Sequence, residues 1–179
     1  MTAWLADAHN HLQDTRYGQR QATLLAEARS AGVRFQVVNG TGEADWPAVA
    51  ELAAQHLEVI PSFGCHPWYL HERTPHWQTR LIQHLDATPR AGLGEIGLDQ
   101  WILNQTAPVR GPSVPDLPVR EPAGLVAQTE AFEWQLDLAV DRKLPVTIHC
   151  LRAWGPLVVA LKRCPMLARG FLLHSYGGP

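Results

Sequence analysis

Short β-rich apolar runs alternate with segments of helical period along this chain, and run after run closes in a cluster of polar residues. Strand followed by helix, repeated, predicts a parallel sheet with its helices outside. The strands read as residues 4–11, 34–39, 145–150 and 171–176, with two more inside 58–66 and 91–99. The helices read as 20–31, stopped by Gly32, and 45 to about 56, with Asp45 as N-cap and Pro47 in the first turn. Three more cover about 76–87, 129–143 and 154–163. In the fourth of these five, Phe132, Leu136 and Val140 recur every four residues; Pro165 stops the last. A doubly wound sheet and a TIM-type barrel share this order of elements. An open sheet gathers its site at one switch point, whereas a barrel collects polar residues from the C-terminal ends of many strands. The polar clusters here close many strands, so the fold class is α/β, a TIM-type (β/α) barrel.

Histidine placement carries the same message. Of nine histidines, His56, His71, His76 and His84 fall on helical or connecting segments and take no role. His9, His11, His66, His149 and His174 each lie at or near the end of a predicted strand. His9 and His11 are alternate residues, so both imidazoles face one side and can share a divalent cation. Asp7 precedes them on that face, a candidate acceptor behind the imidazoles. A structural histidine pair remains the rival reading. Glu95 stands among glycines and apolar residues in Gly92-Leu93-Gly94-Glu95-Ile96-Gly97-Leu98-Asp99. A carboxylate is costly to bury there unpaired, so it meets a cation or sits at the mouth of the sheet. Its two oxygens can bridge two metals; Asp99 can equally cap the following loop. His149 and His174, each alone more often a core histidine than a ligand, make a second metal site together with Glu95. Cys65 and Cys150 adjoin His66 and His149 but alternate to the other face, as inert buried thiols.

Composition bounds the function. Hydrophobic residues make up 46% and charged residues 18%, ordinary for one globular domain over 1–179. The formal net charge of -2 argues against holding nucleic acid by bulk electrostatics, though bound cations would supply positive charge locally. Three cysteines without a C-x-x-C pair point to neither a disulfide framework nor a zinc cluster, and a reducing cytoplasm is the simplest setting. No apolar run is long enough for a membrane, and the N-terminus lacks the pattern of a secretory signal. Residues 100–127 form a connection with five prolines and little period. It leaves the fourth strand where a site would lie, and reads equally as a lid or as a tolerated surface insertion.

Five segments in order resemble the motifs of the TatD family of the metal-dependent hydrolase superfamily. They are Asp7-Ala8-His9-Asn10-His11-Leu12, Gly64-Cys65-His66-Pro67-Trp68, Gly94-Glu95-Ile96-Gly97-Leu98-Asp99, Pro145-Val146-Thr147-Ile148-His149-Cys150 and Leu173-His174-Ser175. The first is shared with barrel hydrolases of the polymerase-and-histidinol-phosphatase type; the later ones favour TatD. The resemblance implies two divalent metals (zinc, manganese, iron or magnesium). By it, His9 and His11 hold the first, His149 and His174 the second, and Glu95 bridges them. Glu95 and His66 then count as catalytic, and His66 and Arg152 as the groups that meet a phosphate. Trp68 and Tyr69 either stack on a base or pack against the adjacent helix.

The implied activity is two-metal hydrolysis of phosphodiester bonds, in DNA above all, with no membrane and no obligate protein partner. Two alternatives stand beside it: a metal-dependent hydrolase of a small amide, lactone or phosphate ester, and an inactive metal-binding fragment. The family pattern continues through two further strand–helix units, one supplying an aspartate that completes the first metal site and assists proton transfer. About six of eight units are present, where a full barrel takes about 250 residues. The expectation is an incomplete barrel with bare edges at its first and sixth strands, poorly stable and weakly active alone.

Overall fold

The structure, a computed structural model, describes residues 4–105 and 123–178. Most of the 100–127 connection therefore lies outside the described residues. Six strands form one parallel sheet: β1 (Leu5–Asn10), β2 (Val33–Asn39), β3 (Val59–Phe63), β4 (Gly92–Asp99), β5 (Val146–Leu151) and β6 (Phe171–Leu173). Their spatial order is their chain order, β1 to β6, with every adjacent pair parallel. A doubly wound sheet would reverse direction at a switch point; this one never does, and it curves as the arc of an incomplete barrel. Among the described residues β1 pairs only with β2 and β6 only with β5.

Five helices make the crossovers: α1 (Gln21–Ser30), α2 (Trp46–Gln55), α3 (Trp77–Ala87), α4 (Leu125–Arg142) and α5 (Trp154–Arg163). Their apolar faces pack on the strands, α2 on β3, α4 on β4 and α5 on β5. Trp46, Phe63, Leu81, Phe132, Leu136 and Ile148 fill the interface, each nearly or wholly buried. β4 is buried along its whole length, as a strand covered on both faces should be. No helix among the described residues is long and apolar enough to cross a membrane.

Two local expectations need correction. α4 starts at Leu125, a turn before residue 129, because its first turn is anchored by a polar residue. Gln128 is buried and bonds the backbone of Asp99 and Ala123, which apolar periodicity does not register. Asp45 occupies the N-cap position of α2, but its carboxylate makes no capping bond. It accepts instead from the Thr41 and Gly42 N–H groups, the Thr41 hydroxyl and Gln13 Nε2, and so shapes the loop after β2.

Candidate metal centre

Glu95 stands midway along β4, on a backbone that its neighbours approach closely. A Cβ at Gly97, where φ is +147°, would lie 1.9 Å from the His149 carbonyl oxygen. One at Gly64 would lie 2.7 Å from Ile96 Cγ2 and 2.8 Å from the Glu95 carbonyl oxygen. Without side chains at these positions, the β3 end and β5 close in on Glu95 from both sides.

The carboxylate of Glu95 is only 2% exposed, and five imidazoles surround it. Oε2 lies 3.3 Å from His9 Nε2 and 3.1 Å from His11 Nε2, both delivered by β1 and its end. Oε1 lies 3.3 Å from His66 Nε2, 3.1 Å from His149 Nδ1 and 2.5 Å from His174 Nε2, which follow β3, lie on β5 and follow β6. The ligand atoms of His9, His11 and Glu95 converge within 4.8 Å of one another, as do those of His66, Glu95 and His149. His174 lies between the groups, its ring stacked on that of His9 at 3.9 Å and 4°.

The donors suit divalent cations. Ligands about 2.1 Å from one ion, at tetrahedral or octahedral angles, stand roughly 3.0–3.4 Å apart. The two Nε2 atoms of His9 and His11 are 3.3 Å apart, with Glu95 Oε2 equally near. Two of the far ring nitrogens, those of His11 and His149, are held as metal-bound imidazoles require. His11 Nδ1 donates to the Asn39 carbonyl at 2.8 Å. His149 Nε2 meets Asp99 Oδ2 at 2.9 Å. Nitrogen with carboxylate oxygen fits zinc, manganese or iron.

The charges agree with the geometry. Burial works against ionisation of Glu95. The field of His66 and hydrogen bonds from His11, His149 and His174 outweigh it and hold the carboxyl well below the usual range. Burial also opposes a charge on His149, yet hydrogen bonds to Asp99 and Glu95 prevail and raise it to about 9. Against the same penalty, the bond to Glu95 and its field raise His11. Burial dominates at His66 and lowers it to about 4, so that ring is neutral at neutral pH.

The structure thus brings together His9, His11, His66, Glu95, His149 and His174. Arg152 is exposed at the β5–α5 turn, with φ at +55° and no ion pair among the described residues, and does not join the cluster. Asp7 makes no hydrogen bond to an imidazole among the described residues. It accepts from the His9 backbone N–H and from Asn10 Nδ2, while His9 Nδ1 has no partner among the described residues. Asp99 does cap the loop, through Ile102 N–H on Oδ1, but its other oxygen holds His149 and Trp68 Nε1. Its even spacing from Glu95 on one strand was the available signal. Trp68 is therefore tied to Asp99 and packs on His66 and His149. Tyr69 lines a separate cavity with Gln13 and Asp45. Burial pushes the thiols up, Cys65 to about 12 and Cys150 to about 11, in keeping with inert cysteines. Of the four histidines without a role, His84 packs on Trp46 and Phe63, and His71 pairs with Glu72.

The chain matches the family described as TatD related DNase across residues 6–179. It belongs to that family. The 3'-5' ssDNA/RNA exonuclease TatD of Erwinia tasmaniensis is 27% identical, aligned over 94% of this chain and 58% of its own length. A Haemophilus influenzae protein described as an uncharacterized metal-dependent hydrolase is 28% identical over 96% of this chain and 62% of its own. The solved structure of YJJV, a TatD homolog from Escherichia coli, superposes with a TM-score of 0.79 at 26% identity, covering 98% of this chain and 61% of that one. The chain of this TatD relative thus spans less than two thirds of the length of the proteins it matches.

Proposed function

We propose that this chain carries the metal centre of a TatD-type nuclease that hydrolyses phosphodiester bonds in single-stranded nucleic acid. The observation that supports it is one buried carboxylate, Glu95, ringed by five imidazoles from four other strands or their ends. His9, His11 and Glu95 would hold one cation; Glu95, His149 and His174 would hold the other. Bound cations would lower the pKa of a water, polarise the phosphoryl group and stabilise the leaving oxygen. Glu95 stays ionised and would serve both positions. Asn39 fixes the tautomer of His11, and Asp99 orients His149. His66, buried and neutral, donates an N–H to a phosphate oxygen, and Arg152 meets the phosphate from the rim. The substrate class rests on the family and on the names of the similar exonucleases.

The test is hydrolysis of single-stranded DNA and RNA oligonucleotides with metal and with chelator. Chelation is expected to abolish cleavage, and Glu95→Gln to lower kcat at least about a thousandfold while the fold persists. Cleavage that survives metal removal would reject the reading. Turnover of bis(4-nitrophenyl) phosphate without any oligonucleotide cleavage would move the substrate to a small ester.

A further inference from the structure

Helix α4 contributes no residue to the cluster, yet two of its glutamines are buried to 1% and 0% exposure, Gln128 and Gln135. They are seven residues apart, two helical turns, and so face the sheet together. Gln135 grips the Cys65 peptide with both ends of its amide: Oε1 accepts from Cys65 N–H at 2.8 Å, and Nε2 donates to the Cys65 carbonyl at 3.3 Å. Gln128 does the same to Asp99, accepting from its N–H at 2.8 Å and donating to its carbonyl at 3.0 Å. Each Nε2 also donates to a carbonyl of α4 or its lead-in, Ala131 for Gln135 and Ala123 for Gln128. Every polar atom of the two amides is used, and neither can rotate without losing two or three bonds.

The gripped residues are not arbitrary. Cys65 immediately precedes His66, and Asp99 holds His149 through its side chain. His66 and His149 both face Oε1 of Glu95. The imidazoles on the other oxygen are held differently: His11 by the Asn39 carbonyl at the end of β2, and the His9 backbone by Asp7. One side of the centre is thus registered by α4 and the other by β1 and β2. We infer that Gln128 and Gln135 are positioning residues that set the His66–His149 side of the centre, independently of the His9–His11 side. This rests on the metal-centre reading above.

The experiment is a calorimetric titration of Zn2+ into the metal-free chain, with a competing chelator, for the wild type and for Gln128→Met and Gln135→Met. The wild type is expected to take up two equivalents. Each variant should retain one equivalent at wild-type affinity and bind the other about ten- to a hundredfold more weakly, a loss typical when a group behind a ligand is removed. Gln128→Met acts through Asp99 and His149, and Gln135→Met through His66, whose ring nitrogen lies within 4.8 Å of the ligand atoms of Glu95 and His149 and walls the same position. Leu136→Ala, a core truncation on the same helix, is the comparison. It should lower Tm at least as much as the methionine variants and leave both affinities unchanged. Should Gln135→Met not fold, Gln135→Glu keeps the acceptor for Cys65 N–H, loses the donors, and is expected to give the same one-sided weakening. Equal weakening of both equivalents, or a lowered Tm with neither changed, overturns the inference: the glutamines would then only satisfy peptide groups at the strand ends. A wild type that binds fewer than two equivalents overturns the two-cation reading itself.

Discussion

Asp99 shows how one residue can serve two tasks at the end of a strand. Its Oδ1 caps the turn that begins the long connection, and its Oδ2 sets the charge and direction of His149. Asp99→Asn keeps the size and the capping oxygen and removes the negative charge. In the metal-free chain, His149 is then expected to titrate measurably below its value of about 9, since the hydrogen bond to Asp99 is the larger support of its charge and only Glu95 remains. Affinity for the cation that His149 would hold should fall about tenfold or more. An NMR titration of the His149 ring protons checks the first expectation; an unmoved midpoint would mean that Glu95 alone sets it. At this scale the sequence is partly legible. His9, His11, His66, Glu95, His149 and His174 stand out because period-two geometry at strand ends sends them to one pocket. Asp7 and Arg152 do not reach the imidazoles, because whether a neighbouring residue turns towards the pocket depends on the local backbone. At Arg152 that backbone is left-handed, with φ at +55°, and no pattern of residue types reveals it.

Among the elements, β4 decides the geometry, since it carries both Glu95 and Asp99 and is buried throughout. Its pairing with β5 aligns Gly97 with His149, where only hydrogen fits on the glycine. Gly97→Ala would place a methyl group 1.9 Å from the His149 carbonyl oxygen and demand a φ of +147° from an alanine. Both effects act in the same direction, and the chain is expected to lose at least about 2 kcal/mol of stability. Urea unfolding of the metal-free variant checks this. A midpoint within error of wild type would show that β4 and β5 separate without cost. The strands and helices were legible because each exposes a regular period of apolar residues. The early start of α4 was not, because buried glutamines rather than apolar residues anchor its first turn. The same blindness hid the link between α4 and the proposed metal centre: glutamine in a helix reads as a surface residue until its partners are known.

At the scale of the whole molecule, the proposed centre sets protons and cations in competition for one cluster, and that competition would set stability. In the metal-free chain His149 is raised from the ordinary imidazole value of about 6.5 to about 9. Its contribution is therefore complete below pH 6.5 and lost as pH rises through 9. His66 is lowered to about 4, so it stays neutral while the unfolded chain takes up a proton. Stability then falls as pH drops from 6.5 towards 4. Glu95, held well below its ordinary range, adds to that loss once the pH falls beneath the usual carboxylate value. The metal-free chain should thus be most stable near pH 6.5 and weaken on both sides. Cations need these imidazoles unprotonated, so their binding strengthens as pH rises and protons leave. At about a hundredfold excess over Kd a ligand adds about 2.7 kcal/mol, roughly 5–10 °C in Tm for a chain of this size. The expected outcome is a Tm difference between zinc-loaded and chelator-treated protein that is small at pH 5.5 and reaches that size by pH 8.5. Thermal unfolding followed by fluorescence across the range measures it. A difference that stays constant with pH would mean that the imidazoles around Glu95 are not the groups the cations displace protons from.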